Sequence, residues 1–115
     1  MKILVSLLMA IFILSGCGAT QNPPLYYYGA YPSSVYQFLK ADELSTAEQI
    51  EQMKLVIATT QENGQAVAPG VHAHLAMLYF ENGNPLDGEV HFTKEKTLFP
   101  ESANFIDFLL SQHKG

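Results

Sequence analysis

The sequence contains no arginine, so lysine supplies all six of its permanently basic side chains. Eleven aspartates and glutamates outnumber these lysines and leave a formal net charge of −5 at pH 7. Proteins that bind DNA or RNA neutralise phosphates with clusters of lysine and arginine, and the sequence has no such cluster. We therefore predict that the protein has no nucleic-acid partner.

Cysteine is almost as scarce, because Cys17 is the only one in the 115 residues. An internal disulfide needs two cysteines, and a cysteine-based zinc site needs several. The sequence therefore excludes both. A long hydrophobic run is missing as well. The apolar segment at residues 3–14 is about 12 residues long, whereas a helix that spans a bilayer needs about 20.

The N-terminal segment has the layout of a secretion signal. Lys2 precedes the apolar segment and small residues follow it, which is typical of a signal peptide. Residues 14–17, Leu-Ser-Gly-Cys, resemble the bacterial lipobox. This resemblance implies cleavage before Cys17 and acylation of Cys17, with palmitate as a typical acyl group. The alternatives are an uncleaved anchor and a buried free cysteine.

Three segments are therefore predicted: a lipoprotein signal peptide at 1–16, an acylated tether at 17–24 and a helical domain at 25–115. The tether is small, polar and proline-terminated. Gly18 follows the cysteine where some sorting signals have Asp, and the resemblance to those signals implies the outer membrane. We expect a lipid-anchored protein that faces the periplasm.

Helix signals dominate the predicted domain. Ser45 and Glu48 form the Ser-x-x-Glu pattern of a capping box, and Asn63 with Gly64 is typical of a helix C-terminus. The helix between them has an apolar stripe: Ile50, Met53, Ile57 and Thr60, widened by Leu55 and Val56. A shorter helix is predicted at residues 35–40.

The other helix boundaries are marked by serine and proline. Ser33 or Ser34 is predicted to cap the short helix, and Pro69 is predicted to lie in the first turn of the third. A last amphipathic helix is predicted after Ser102, with an apolar face of Phe105, Ile106, Leu109 and Leu110.

Residues 69–102 resemble a tetratricopeptide repeat, a 34-residue helix-turn-helix unit. Its leucine, small, aromatic, turn-glycine and second aromatic positions are occupied in order by Leu75, Ala76, Tyr79, Gly83 and Phe92. Three positions depart from the pattern: His72 stands where tryptophan is common, Gly88 replaces alanine, and Glu95 replaces a small residue.

No alternating apolar pattern with hairpin turns competes with these helices. The predicted fold class is all-α, with four to five helices built around one tetratricopeptide-like helix-turn-helix.

Candidate catalytic and metal-binding residues are few. His72 and His74 are two apart, which places them on different faces of a helix, although His72 and His91 can meet across the hairpin. A zinc site needs three or four ligands, so these histidines are expected to be polar residues at a helix surface. No serine lies in a G-x-S-x-G motif, and acylation removes Cys17 as a nucleophile. We predict no metal, no cofactor and no enzymatic activity.

Five of the six tyrosines lie in residues 25–40. Tyrosine is common at interfaces because its ring is amphipathic and large, but a lone helical hairpin also needs neighbours to cover its apolar faces. We expect Tyr31 and Tyr36 to belong to the core. The other three are predicted to be partly exposed and to bind a partner: Tyr26, Tyr27 and Tyr28.

The chain after the signal resembles a biochemically uncharacterised family of small bacterial lipoproteins. The resemblance rests on the lipobox, on residues 27–31 and 36–40, on LYFENGN at 78–84 and on LFPES at 98–102. The family often has tryptophan where Tyr28 stands. Members are commonly encoded beside a lipoprotein resembling the curli secretion channel. The resemblance implies an envelope complex and supplies no active-site residues.

Two functions are therefore considered. The first is an interaction or assembly module of an outer-membrane-associated complex, with other envelope lipoproteins as partners, among them a curli-secretion-channel-like one. The alternative is a periplasmic protein that binds a small ligand or peptide in its helical groove.

The lipobox makes a direct prediction. The Cys17→Ser variant should not be acylated, because serine lacks the thiol that receives the acyl chain, and it should accumulate as precursor or as soluble protein. Metabolic labelling with palmitate and the mass of the purified chain measure both effects. Continued cleavage before residue 17 together with palmitate labelling of the variant would show that the lipobox interpretation is wrong.

Overall fold

A computed structural model describes residues 1–6, 22, 24–40 and 44–114 of the chain. Residues 2–6 are helical. The predicted lipidation site Cys17 and most of the predicted signal and tether lie outside the described residues. The described residues from 24 onward form five α-helices and one 3-10 helix: α1 (Tyr31–Lys40), α2 (Thr46–Glu62), α3 (Val71–Glu81), α4 (Pro85–Leu98), the 3-10 helix Pro100–Ser102 and α5 (Ala103–Lys114).

The all-α prediction is confirmed. The described residues contain no strand, and their only β-type pairing is an isolated bridge between Tyr26 and Ala66. Within the same residues, no helix combines the length and the apolar character needed to cross a bilayer.

The capping box of α2 forms as predicted. The Glu48 amide donates to Ser45 Oγ at 3.2 Å, and the Ser45 amide donates to Glu48 Oε2 at 2.9 Å. These two bonds satisfy donors that have no partner within the helix. At the other end Gly64 has φ +63°, the left-handed conformation expected after a helix.

The predicted start of α1 is wrong. The helix begins at Tyr31 instead of after Ser33 or Ser34, because Pro32 is tolerated in a first turn, where its missing N–H is not needed. Ser33 Oγ donates back to the Ala30 carbonyl at 2.9 Å, and Ser34 is fully buried. The third helix also begins later than expected, at Val71.

Helices α3 and α4 form the predicted antiparallel hairpin and approach each other closely at Gly88. A Cβ at Gly88 would lie 2.6 Å from the Phe80 ring and 3.1 Å from the Ala76 carbonyl oxygen. The departure from the repeat pattern therefore has a packing reason, because only glycine leaves room for Phe80. The turn between the helices contains Gly83 at φ +79°.

Helix α3 is the centre of the domain, and a core cluster lies on either side of it. One cluster joins α2, α3 and the preceding loop through Ile50, Met53, Val56, Ala68, Val71, Leu75 and Leu78. The other joins α3, α4 and α5 through Ala73, Ala76, Phe92 and Ile106. A helix packed on both sides must be apolar nearly all round, and α3 is buried at every residue from 71 to 76.

Two further residues that were predicted to lie on apolar helix faces are exposed in the structure. Leu55 on α2 and Phe105 on α5 are both mostly exposed. Each lies at the edge of its apolar stripe, and the neighbouring helices cover only the centre of the stripe, where Val56 and Ile106 are buried.

Glu95 links α4 to the start of α3. Its Oε1 accepts from the Gly70 amide at 2.6 Å, and its Oε2 accepts from the Ala73 amide at 3.2 Å. Gly70 has φ +93°, and a Cβ there would collide with Tyr31 Oη. The sequence flagged Glu95 only as a departure from the repeat. In the structure this carboxylate caps the central helix.

Removing this cap should destabilise the fold. Glu95→Ala leaves the buried Ala73 N–H and the part-buried Gly70 N–H without their partner, at about 1–3 kcal/mol for a buried donor and less for a part-buried one, and we expect it to lower the free energy of unfolding by about 2–4 kcal/mol. The matched control is Glu89→Ala on the same helix, whose carboxylate bonds Lys114 at the surface at 3.2 Å and should contribute less than about 1 kcal/mol. Urea denaturation of the full chain measures both, and equal losses would contradict the capping role.

Candidate functional site

A groove of about 410 Å³ lies beside α3, bordered by the C-terminal half of α2, the loop before α3, and α4. Its walls include apolar and polar side chains from all four elements: Ile57, Gln61, Val67, His72, His91 and Lys94. Ligand sites in proteins are typically concave, mostly apolar and provided with a few convergent polar groups. The groove has this composition.

Two histidines meet at the groove. His72 on α3 and His91 on α4 have their Nδ1 atoms 2.9 Å apart, and their ring planes are inclined by 23° with centroids 5.1 Å apart, so the two rings meet edge to edge. The Tyr79 ring lies nearly parallel to that of His91, with centroids 5.5 Å apart. The prediction that His72 and His91 meet across the hairpin is therefore confirmed.

This histidine pair is electrically neutral at pH 7. Burial lowers the pKa of His72 to about 4, and the neighbouring His91 and Lys94 act in the same direction. Burial also lowers the pKa of His91 to about 4, with Lys94 adding to the shift and Asp87 opposing it. Because both rings are neutral, one Nδ1 donates its proton and the other accepts it.

His74, the other histidine of α3, faces the opposite side of the helix. His74 Nε2 shares a hydrogen bond of 2.9 Å with Ser34 Oγ on α1, and its ring packs against Tyr31 and Phe38. Burial lowers the pKa of His74 to about 4, and hydrogen bonding to the Ser34 backbone partly offsets this effect. A serine beside a histidine can act as a nucleophile, but Ser34 is fully buried, so this pair holds α1 against α3.

The expectation that His72 and His74 lie at a helix surface is wrong, since they are only 5% and 6% exposed. The reason is that α3 has neighbours on both sides, which the spacing of the histidines does not reveal. Among the described residues, no group of three or more His, Cys, Asp or Glu side chains is placed to hold a metal ion.

The tyrosines of residues 25–40 do not divide into buried and exposed residues as predicted. Tyr31 is half-buried on the first core cluster, as expected, and burial raises its pKa, with Glu95 and Tyr28 contributing. Tyr36 is 57% exposed, so its assignment to the core is wrong. On α1 the inward positions are Tyr31, Ser34 and Phe38, spaced three and four apart, and Tyr36 falls on the other face.

Of the three tyrosines predicted to bind a partner, Tyr28 is the most accessible at 47% exposed. Tyr26 and Tyr27 are half-buried and pack against the first core cluster. Tyr26 also meets the Tyr28 ring edge-on at a centroid distance of 6.2 Å. Tyr28 and Tyr36 are therefore the exposed tyrosines of this segment, and partner binding by Tyr26, Tyr27 and Tyr28 stays a prediction.

The buried histidines predict that acid destabilises the protein. Between about pH 6.5 and pH 4 the unfolded chain binds protons at His72, His74 and His91 that the folded chain does not, so stability should fall as the pH falls through this window. At pH 5 each histidine should cost on the order of 1–2 kcal/mol relative to pH 7. His91→Asn should flatten the pH dependence of the urea midpoint. An unchanged midpoint between pH 7 and pH 5 would contradict the burial of neutral histidines.

Comparison with known proteins gives a family but no function. The search of curated proteins found no match, and the search of solved structures found none either. Residues 25–109 match a family described as a domain of unknown function, DUF4810. These residues run from the start of the tyrosine segment into α5, so they contain the exposed tyrosines, both core clusters and the groove. The protein therefore belongs to the DUF4810 family.

Proposed function

We propose that the protein is a bacterial envelope lipoprotein that serves as an interaction or assembly module of an outer-membrane-associated complex. In this proposal the signal at 1–16 is removed, acyl chains on Cys17 anchor the protein, the tether runs over 17–24 and the domain faces the periplasm. The protein is non-catalytic. The lipobox-like sequence supports the anchor, and the match to a family of unknown function fits the expectation of an uncharacterised family.

The observation that carries the interaction role is the apolar surface of the two terminal helices. Tyr36 and Leu39 lie three residues apart on α1 and are both exposed, and so are Phe105 and Phe108 on α5. Terminal units of stacked helical arrays normally turn a polar face to solvent, because nothing else covers them. Aromatic side chains on both outer helices therefore favour a protein partner.

The α1 end is the better candidate for an envelope partner. Tyr28, Tyr36 and Leu39 belong to the segment that directly follows the proposed tether, so anchoring would hold them near the membrane. Tyrosine is also enriched in interface cores, whereas lysine and glutamate are depleted. The resemblance described above makes a curli-secretion-channel-like lipoprotein the first partner to test.

Paired substitutions test this proposal. The tagged full chain is produced together with the channel-like lipoprotein, and recovery of that protein from detergent-solubilised membranes is quantified. Tyr36→Ser should reduce recovery about fivefold or more, because exposed interface tyrosines are frequent hot spots. It should leave the free energy of unfolding within about 0.5 kcal/mol of the parent, because the side chain is outside the core.

The control is Phe108→Ser, at an aromatic that is also 57% exposed but lies on α5. It should leave recovery unchanged. Equal recovery of the channel-like lipoprotein by the parent and both variants would contradict the proposal for the α1 end. A loss with Phe108→Ser alone would move the interface to α5.

A second candidate function, the binding of a small ligand or peptide, is favoured by the groove beside α3. Its histidine pair and Lys94 converge on a concave space of ligand size, as described above. This function is compatible with the first, because the groove and the exposed residues of α1 involve different side chains.

A further inference from the structure

The groove beside α3 has one apolar wall. Ile57 on α2, Val67 in the loop before α3 and Leu98 at the end of α4 line it. Leu98 is 51% exposed, so an occupant of the groove would remove apolar surface from water, which is favourable. The wall therefore suits a ligand with an apolar body.

The charge of the groove has one sign. Among the described residues, Lys94 is the only formally charged one that lines the groove, and none of the lining residues is a carboxylate, although acidic residues outnumber lysines in the chain by eleven to six. The ion pairs of the described residues use Lys54, Lys96 and Lys114, and none of them uses Lys94. The positive charge of Lys94 is thus free to attract an anion.

The histidine pair adds hydrogen-bonding capacity beside this charge. One proton is shared between the two Nδ1 atoms of His72 and His91. The ring that accepts it must carry its own proton on Nε2, and the ring that donates it has a bare Nε2. The pair therefore keeps one N–H donor for a further partner. Thr93 and Thr97 also line the groove, but their hydroxyls donate to the backbone carbonyls of Glu89 and Thr93 at 2.9 Å, so the donors for an anion are Lys94 and the histidine pair.

We infer that this groove is a binding site for an amphiphilic carboxylate, whose carboxylate group pairs with Lys94 and whose apolar body lies against Ile57, Val67 and Leu98. This inference goes beyond the interaction role and names a ligand class for the second candidate function. Such a carboxylate has two sources, a short fatty acid or the C-terminus of a peptide, and the shared chemistry is a single negative charge beside an alkyl group.

The test compares matched acids and amides. Hexanoate and hexanamide represent the fatty acid, and N-acetyl-leucyl-leucine and its amide represent the peptide. Each is titrated by NMR into the full chain in detergent micelles. We expect at least one acid to bind about tenfold more tightly than its amide, and Lys94→Gln to abolish this preference. Lys96→Gln is the control, because Lys96 lies on the same helix but pairs with Asp107 at 2.6 Å.

The histidines report where the acid binds. A carboxylate beside Lys94 offsets the charge that acts on His72 and His91, so bound acid should raise the pKa of these two rings. His74 on the other side of α3 should not change. The acid that produces this pattern identifies the source. Equal binding of acids and amides, no binding of either acid, or equal effects of Lys94→Gln and Lys96→Gln would each overturn the inference.

Discussion

The carboxylate of Glu95 is the contact on which the rest of the domain depends, because it fixes the start of the central helix. The first amides of α3 have no partner within their own helix, and a negative charge is favourable at this end of a helix. Glu95 reaches from α4 and accepts from Gly70 and Ala73. Tyr31 fills the space beside Gly70 that a Cβ would need, so α1, α3 and α4 meet at one point.

A central helix with neighbours on both sides also explains the buried histidines. A polar group inside a protein must find a hydrogen-bond partner, or its desolvation is not compensated. His74 finds Ser34 on α1, and His72 finds His91 on α4. Each bond forms only when the correct helix lies on the correct side of α3, so the histidines specify the arrangement of the helices as well as filling space. Their neutrality couples this arrangement to pH.

The features that were predictable from the sequence are local, and those that were not depend on distant neighbours. The capping box of Ser45 and Glu48 and the turn at Gly64 involve residues a few positions apart, and both form as expected. The exposure of Tyr36 depends on which face of α1 meets α3. The spacing of Tyr31, Ser34 and Phe38 indicates which face of α1 is buried, but a serine was not expected in the core. The groove is lined by residues of α2, α3 and α4, which are distant in the sequence. The only feature of the groove that the sequence indicated was the possible meeting of His72 with His91.

The proposed anchor and the exposed tyrosines constrain each other through the length of the tether. The eight residues at 17–24 span at most about 30 Å when fully extended, at about 3.3–3.6 Å for each residue. If Cys17 is acylated, Tyr28 is only a few residues further along the chain and cannot move far from the membrane surface. A partner that binds Tyr28 and Tyr36 must then reach the same layer, which favours another membrane-attached protein. The groove beside α3 has no such requirement, because a small carboxylate can diffuse to it.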